Sequence, residues 1–125
     1  MEKIAGVKQS TNLGFGEIEG EAGALLDEHF QRVAFLAKSL SDANRLRILV
    51  CVGKGKKSVS AIVEQLGLSQ PLVSHHLKEL KRSLLVKIER SGPFIYYELV
   101  DERILDIARA LSVVATELLT ARKTF

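Results

Sequence analysis

The stretch from residue 58 to residue 80, SVSAIVEQLGLSQPLVSHHLKEL, constrains the fold more than any other part of the sequence. Gly67 divides it, because glycine accepts the positive φ that a sharp turn after a helix requires. Ser69 is a natural N-cap, and Pro71 is tolerated in a first helical turn where no backbone donor is needed. A second helix therefore begins near Gln70. Before the turn, apolar residues recur at the intervals of one helical stripe: Val59, Ile62, Val63 and Leu66.

The second helix has one apolar face and one polar face. Its apolar stripe consists of Val73, Leu77, Leu80 and Leu84. Two short helices joined by a glycine turn, the second with a polar face, indicate a helix-turn-helix motif, which fits the major groove of DNA. An ordinary helical hairpin with a solvated charged face is the alternative that these residues alone leave open.

The polar face of this helix predicts a division of roles on DNA. Residues near the N-terminus of a recognition helix usually reach base edges, whereas cations further along usually meet phosphate. The predicted base readers are Gln70, Ser74 and His75. The predicted phosphate contacts are Lys78, Lys81 and Arg82. Leu72 is placed to touch a thymine methyl, and Ser69 belongs to the same predicted DNA-binding set.

A predicted β-hairpin follows the motif. Residues 85–100, LVKIERSGPFIYYELV, form two β-prone runs on either side of a Ser-Gly-Pro turn. A hairpin directly after a recognition helix is the wing of a winged helix-turn-helix. Arg90 lies near its tip and is predicted to enter a neighbouring minor groove.

Composition is consistent with one small DNA-binding domain. The 125 residues carry 18 Lys and Arg against 15 Asp and Glu, a formal net charge of +3, so attraction to nucleic acid depends on local clusters of cations. The single cysteine, Cys51, excludes a disulfide within the chain. No signal peptide opens the sequence and no apolar run approaches the ~20 residues that span a bilayer. We therefore expect a cytoplasmic protein without membrane contact.

Residues 1–23 are rich in glycine and are predicted to form a flexible tail, which leaves residues 24–121 as the DNA-binding and dimerisation domain.

Two terminal helices have more apolar surface than one small core can cover. The first helix is predicted over residues 24–40 and the last from Asp101 onward. Their apolar faces predict a homodimer that reads a palindromic site with half-sites ~34 Å apart. The predicted interface residues are Leu26, Phe30, Ile104, Ile107, Ala108, Leu111, Val114 and Leu118. The alternative is that both helices wrap the chain's own core.

Three segments carry a resemblance to a known family. They are LSDANRLRIL at residues 40–49, LSQPLVSHHL at residues 68–77, and the hairpin ending in YYEL at residues 96–99. Together they resemble the ArsR (ArsR/SmtB) family of bacterial and archaeal repressors over roughly residues 30–120. The resemblance implies a mainly α fold with a β-hairpin wing that dimerises through its first and last helices. It also implies a repressor that leaves double-stranded operator DNA when an inducer binds.

Metal sensors of this family use two sets of ligands, and this chain retains neither set. Where arsenic, cadmium and lead sensors carry Cys-x-Cys on the first motif helix, this chain has Ser58 and Ser60, whose hydroxyls cannot replace thiolates. Zinc and nickel or cobalt sensors carry Asp-x-His and His-x-x-Glu or His-x-x-His on the last helix. The matching residues here are Asp101, Arg103, Val114 and Glu117. We expect no metal and no cofactor at these positions.

The sequence leaves the inducer unknown and two alternatives open. A pocket between the first and last helices is the expected place for a small-molecule inducer. Redox sensing by Cys51 is one alternative, although thiol switches in this family usually need two cysteines and a buried cysteine is often an apolar filler. The second alternative is a winged-helix module that binds another protein instead of DNA. An enzyme is not expected, since the sequence has no Gly-rich phosphate loop, nucleophile elbow or His-Glu-x-x-His pattern.

Overall fold

The computed structural model describes residues 20–120 of the chain. In chain order its elements are α1 (Gly20–Ser39), α2 (Ala43–Gly53), α3 (Val59–Leu66), α4 (Gln70–Arg82), β1 (Val86–Ser91), β2 (Phe94–Leu99) and α5 (Arg103–Leu119). The chain divides into two units, residues 1–34 and residues 35–125, and the division falls within α1. Among the described helices, none combines the length and the apolar character needed to cross a membrane.

The start of α1 differs from the prediction. α1 begins at Gly20 rather than at Ala24, so the last residues of the predicted tail are helical. The rest of that predicted tail, residues 1–19, lies outside the described residues.

Side-chain and glycine caps fix the ends of the two motif helices, and the predicted caps at Gly67 and Ser69 are confirmed. The Ser58 hydroxyl accepts a hydrogen bond from the Ala61 N–H at 3.1 Å. α3 is followed by Gly67, whose φ of 68° lies in the left-handed region. The Ser69 hydroxyl accepts a hydrogen bond from the Leu72 N–H at 3.3 Å and so caps α4. These caps satisfy N–H groups that helix ends leave unpaired. The predicted helix-turn-helix is confirmed.

The core of the second unit is built mainly from α2, α3, α4 and the hairpin. Val73, Leu77 and Leu80 of α4 are buried, which confirms these members of the predicted stripe. Fully burying an aliphatic side chain stabilises a fold by ~1.5–3 kcal/mol, so the inner face of α4 is firmly held and its polar face is left to solvent. Among the described residues, the buried hydrophobic cluster is Leu40, Ile48, Leu49, Cys51, Val52, Ile62, Val73, Leu77, Leu80, Leu85, Val86 and Ile104.

The predicted wing is confirmed as a two-stranded hairpin. β1 and β2 pair antiparallel along their whole length, and the turn between them is Gly92-Pro93. Gly92 has a φ of 63°, a value that suits glycine at the first position of a tight hairpin turn. Lys57, before α3, exchanges backbone hydrogen bonds of 2.9 and 2.8 Å with Tyr97 of β2. The wing is therefore tied to the segment that leads into the helix-turn-helix.

α5 carries apolar residues on two of its sides. Ile104 lies in the chain's own core, so it is not available to a second subunit, contrary to the prediction. Leu105 packs so closely on α2 that a Cβ at Gly53 would lie 2.5 Å from its Cδ1, and glycine permits this approach. Ala108 is half-buried. The other predicted interface residues of α5 form an exposed apolar stripe along this helix: Ile107, Leu111, Val114 and Leu118.

Leu84 departs from the predicted stripe of α4. The helix ends at Arg82, and Leu84 follows with a φ of 67°, a left-handed conformation that is rare for a residue with a side chain. Its N–H donates to the Lys81 carbonyl at 3.0 Å, and the Leu85 N–H donates to the Leu80 carbonyl at 2.9 Å. This closure turns Leu84 outward, where it is 75% exposed, and gives the buried position to Leu85.

Replacing Leu84 by glycine should stabilise the fold. The left-handed conformation costs a residue with a Cβ ~1–2 kcal/mol, and the greater freedom of glycine in the unfolded chain offsets part of the gain. We expect the free energy of unfolding to rise by about 0.5–1 kcal/mol in urea titrations at one protein concentration. Leu84→Ala is the matched control, because it removes the exposed side chain and keeps the Cβ. A Leu84→Gly variant no more stable than Leu84→Ala contradicts backbone strain at this residue.

Candidate nucleic-acid interface

The outward face of α4 brings the predicted base readers together. Gln70, Ser74 and His75 are all exposed, whereas Val73 and Leu77 on the other side of the helix are buried. Amide, hydroxyl and imidazole groups can each donate to or accept from base edges. The first two turns of α4 therefore offer a compact set of hydrogen-bonding groups to a ligand in front of the helix.

Ser69 and Leu72 also have structural roles that narrow what they can contribute to DNA binding. The Ser69 hydroxyl oxygen accepts the cap hydrogen bond from Leu72, which leaves its proton free to donate. Leu72 is half-buried, so only part of its side chain is open to a thymine methyl. Ser69 thus suits a phosphate oxygen better than a base edge.

The cations of α4 are not equally available. Lys78 and Lys81 are exposed. The Nη1 of Arg82 lies 3.0 Å from Oε2 of Glu79, one turn back along the same helix. Because this carboxylate already neutralises Arg82, Lys78 and Lys81 are the more available cations of α4.

A groove of about 800 Å³ connects the end of α4 to the wing and carries several cations. Among the described residues that line it are Lys81, Lys87 and Arg90, and no Asp or Glu. We call it the basic groove. Lys87 is absent from the predicted DNA-binding set, although its alternation with Val86 and Ile88 already indicated that it points to solvent. Its place in one groove with Lys81 depends on how β1 packs against the end of α4, which the sequence alone does not give.

Lys56, near the base of the wing, is engaged within the chain. Its Nζ lies 3.0 Å from Oε2 of Glu89 and 5.4 Å from the centroid of the Tyr96 ring. The hydrogen bond to Glu89 raises the pKa of Lys56. Because carboxylate and aromatic ring both hold this ammonium, it joins the loop before α3 to the hairpin and adds little free charge to the surface.

His76 follows His75 in sequence but faces the interior. It is 5% exposed, and its Nδ1 is buried without a hydrogen-bond partner among the described residues. Its Nε2 lies 3.8 Å from Oδ1 of Asp42, the N-cap of α2. The same Oδ1 accepts hydrogen bonds from the N–H groups of Asn44 and Arg45 at 2.9 and 3.0 Å. The recognition helix and the start of α2 therefore meet at one polar contact.

Known proteins of similar sequence are transcriptional regulators. The sequence model of the bacterial regulatory proteins of the arsR family matches residues 42–87. An uncharacterised HTH-type transcriptional regulator of Methanocaldococcus jannaschii is 34% identical over 83 residues, which cover 66% of this chain and 93% of that protein. The arsenical resistance operon repressor of Staphylococcus aureus is 31% identical over 87 residues, which cover 70% of this chain and 84% of that protein.

A solved structure agrees with these relatives. The homodimeric winged helix-turn-helix DNA-binding domain of a possible ArsR-family regulator from Mycobacterium bovis has a TM-score of 0.65 and 28% identity, and the match covers 86% of this chain and 97% of that one. The chain belongs to the ArsR family. This family consists of winged helix-turn-helix transcriptional regulators and not of enzymes.

The positions that match metal ligands of other ArsR members do not fit a metal site here. The Ser58 hydroxyl caps α3. Arg103 places its Nη2 2.7 Å from Oδ2 of Asp101 and its Nε 3.1 Å from Oδ1. Chiefly through this side-chain hydrogen bond, Arg103 lowers the pKa of Asp101 to about 2. A carboxylate already paired with a cation is a poor zinc ligand. Within residues 20–120, no group of three or more His, Cys, Asp or Glu could hold a metal ion.

Cys51 has a packing role in α2. It is buried in the core, and its Sγ donates a hydrogen bond of 2.8 Å to Oε1 of Gln65 in α3. Little of the thiol is open to an oxidant. Redox sensing by Cys51 stays a prediction of the sequence.

The ion pair at the start of α5 makes a prediction about pH. Because Arg103 lowers the pKa of Asp101 from 3.8 to about 2, this pair stabilises the fold at pH values above the ordinary pKa, and the contribution is lost as the pH falls through the lowered value. NMR titration of the Asp101 carboxyl should show a higher midpoint in Arg103→Ala than in the wild type. The midpoint should remain below 3.8, because the backbone N–H of residue 103 still donates to the carboxylate.

Arg109→Ala is the matched control for this titration. It breaks a similar exposed pair, in which Nη1 lies 3.0 Å from Oδ1 of Asp106, and should leave the Asp101 midpoint unchanged. Equal Asp101 midpoints in the wild type and in Arg103→Ala refute the assignment of the lowered pKa to Arg103.

Proposed function

We propose that this protein is a homodimeric repressor that binds double-stranded operator DNA through α4 and the wing. The observation that carries the proposal is the division of α4: its apolar side is buried in the core, and its polar side stands exposed beside the basic groove. The relatives support it, since the Staphylococcus aureus protein is named a repressor and the Mycobacterium bovis domain a homodimer. We assign DNA binding and dimerisation to residues 24–121 and place this activity in the cytoplasm.

Each part of the interface has a proposed role on DNA. The exposed N-terminal turns of α4 read bases in the major groove through Gln70, Ser74 and His75. The phosphate contacts are Lys78, Lys81 and the newly found Lys87. Arg90 near the tip of the wing reaches the neighbouring minor groove. Affinity then comes mainly from cations, whereas sequence preference comes from the α4 N-terminus.

Dimerisation follows from the exposed apolar stripe of α5. Leu111 is 53% exposed and lies within a row of aliphatic side chains, and monomeric proteins rarely leave large contiguous apolar patches in solvent. Leu26 and Phe30 of α1 are the proposed partners of this stripe in the second subunit. A two-fold axis would place two copies of α4 about 34 Å apart, so the proposed operator is palindromic.

We propose an organic inducer in place of a metal. The pairing of Asp101 with Arg103 and the capping role of Ser58 remove the ligands that metal-sensing members use. Binding of the inducer lowers operator affinity, and by linkage the operator lowers inducer affinity by the same factor.

Two substitutions on α4 separate base reading from phosphate binding. On an operator selected from random duplex DNA, His75→Ala should change the preference at one position by ~1–3 kcal/mol and leave the salt dependence unchanged. Lys78→Ala should weaken binding to all sequences about equally and reduce the slope of log K against log salt by about 1. Affinities measured by fluorescence anisotropy over a range of salt concentrations give both quantities.

The same measurements test the protein-binding alternative. A winged-helix module that binds protein through apolar contacts should show little salt dependence and no operator. Absence of specific DNA binding by the dimer rejects the proposed function. An unchanged preference in His75→Ala removes that residue from the readers, and an unchanged slope removes Lys78 from the phosphate contacts.

A charge placed in the stripe of α5 should separate the subunits. We expect Leu111→Glu to give monomers with much weaker operator affinity, because the dimer interface would have to bury an unpaired carboxylate. Val113→Glu is the matched control: Leu111 and Val113 lie on the same helix and are both 53% exposed, but Val113 is outside the stripe. Analytical ultracentrifugation measures the outcome. A stable Leu111→Glu dimer, or equal dissociation of both variants, contradicts the proposed interface.

A further inference from the structure

A second groove lies apart from the DNA-binding face, on the surface formed by α2, α3 and α5. It consists of two adjoining cavities of about 490 and 470 Å³, which share Leu46, Val50 and Lys54 of α2 as a common wall. Cavities of this size fall within the range of small-molecule sites. We call the pair the α2–α5 groove.

The floor of the α2–α5 groove is apolar. Val50 stands at its centre and is 44% exposed, although the neighbouring Leu49 and Cys51 are buried. Leu66 of α3 closes one end, and Leu105 of α5 closes the other. An aliphatic or aromatic body lying on Val50 would cover surface that the chain itself leaves open.

The charges of the groove all have one sign. Its described lining contains Arg47, Lys54 and Arg109 and no Asp or Glu. Arg109 is paired with Asp106, which lies outside the lining. Within residues 20–120, Arg47 donates to the neutral amide oxygen of Asn44, and neither Arg47 nor Lys54 makes an ion pair. Among the described residues, these two cations at the rim therefore lack a counter-charge and suit an anionic group.

The groove is separate from the proposed dimer interface. At about 100° per residue, the groove residues Leu105, Ala108, Arg109 and Ser112 centre roughly 140° around α5 from the stripe of residues 107, 111, 114 and 118. Ala108, which the sequence placed in the interface, lines the groove instead. A second subunit on the stripe leaves this side of α5 open.

We propose that the α2–α5 groove binds a small amphipathic carboxylate, with its apolar body on Val50 and its anionic group between Arg47 and Lys54. Such a ligand also touches α3 through Gln65 and Leu66, the first helix of the helix-turn-helix. Occupancy is thereby linked to the position of α3 and α4. This regulatory link rests on the proposed function, whereas the binding site itself does not.

NMR titration of the full-length, ¹⁵N-labelled protein with octanoate, without DNA, tests the site. We expect saturable shifts at the backbone amides of Val50, Lys54 and Ala108, and no comparable shifts at Lys78 or Arg90. Octanol has a similar chain without the charge, and acetate has the charge without the chain. Each should bind at least about fivefold more weakly than octanoate, since each lacks one of the two contacts.

Variants at the rim and the floor distinguish the two contacts. Lys54→Gln should weaken octanoate binding by roughly threefold to tenfold, as expected when one charged contact is lost. Val50→Glu places a carboxylate on the floor and should abolish binding; the partial exposure of Val50 makes the change compatible with folding, which circular dichroism verifies. Arg90→Gln removes a cation from the wing and should leave octanoate binding unchanged.

Three outcomes overturn the site: no saturable shifts, equal binding of octanol and octanoate, or shifts that follow the α5 stripe instead of the groove. Anisotropy with operator DNA then tests the link to regulation. Octanoate should lower operator affinity of the wild type more than that of Lys54→Gln. If octanoate binds the groove but leaves the operator affinity unchanged, the regulatory link is rejected and the binding site stands. Failure to bind any operator rejects the proposed function, and the titration without DNA still decides the site.

Discussion

The burial of short helices against α2 is the constraint on which the rest of the structure depends. α3 has 8 residues and α4 has 13, and helices below ~12–15 residues are marginal in water by themselves. Ile62 of α3 and Val73 of α4 supply the missing stability, since both are fully buried in the cluster that includes Ile48 of α2. The caps at Ser58, Gly67 and Ser69 fix the helix ends, but tertiary packing decides their angle. The core thus sets the orientation of the exposed polar face of α4.

Asp42 adds a polar constraint to this apolar core. Hydrogen bonds from the backbone, chiefly from Arg45, lower the pKa of Asp42, so its carboxylate is a charged N-cap for α2. The same oxygen faces Nε2 of His76 on α4. The buried Nδ1 of His76 lacks a hydrogen-bond partner among the described residues, which is a cost to stability. A leucine at residue 76 would avoid this cost, since it has no polar atom in its side chain. At 3.8 Å the imidazole and the carboxylate are in polar contact without a hydrogen bond, so His76 places a polar group where α4 meets the N-terminus of α2.

Local signals in the sequence were enough for the motif and for the wing. The cap of α4 at Ser69, the glycine turn at Gly67 and the Gly92 hairpin turn each follow from chemistry within a few residues. Leu84 could not be placed in this way, because the left-handed turn after α4 falls on a leucine and not on the glycine that usually marks such a turn. Ile104 was misassigned for a related reason: it lies on the same helical face as Leu111, seven residues further on, and periodicity does not reveal that only the start of this face packs on the chain's own core. The basic groove and the α2–α5 groove both combine residues from separate elements, and single-sequence periodicity carries no information on such pairings.

α5 takes part in three different kinds of contact: an ion pair at its start, packing on the chain's own core, and the proposed contact with a second subunit. Their positions on the helix account for its composition. At its start, Arg103 holds Asp101, so the carboxylate that could begin a metal site is instead part of an exposed ion pair. In its first turn, Ile104 is buried in the chain's own core and Leu105 packs at Gly53, and these contacts fix the helix to α2. The outer stripe is left for a second copy of the chain. Because the α2–α5 groove lies on the Leu105 side of α5, away from the outer stripe, a ligand bound there would contact both α3 and α5. In the proposed dimer, a small shift of α5 relative to α2 would change the distance between the two copies of α4, and so their fit to an operator with fixed half-site spacing.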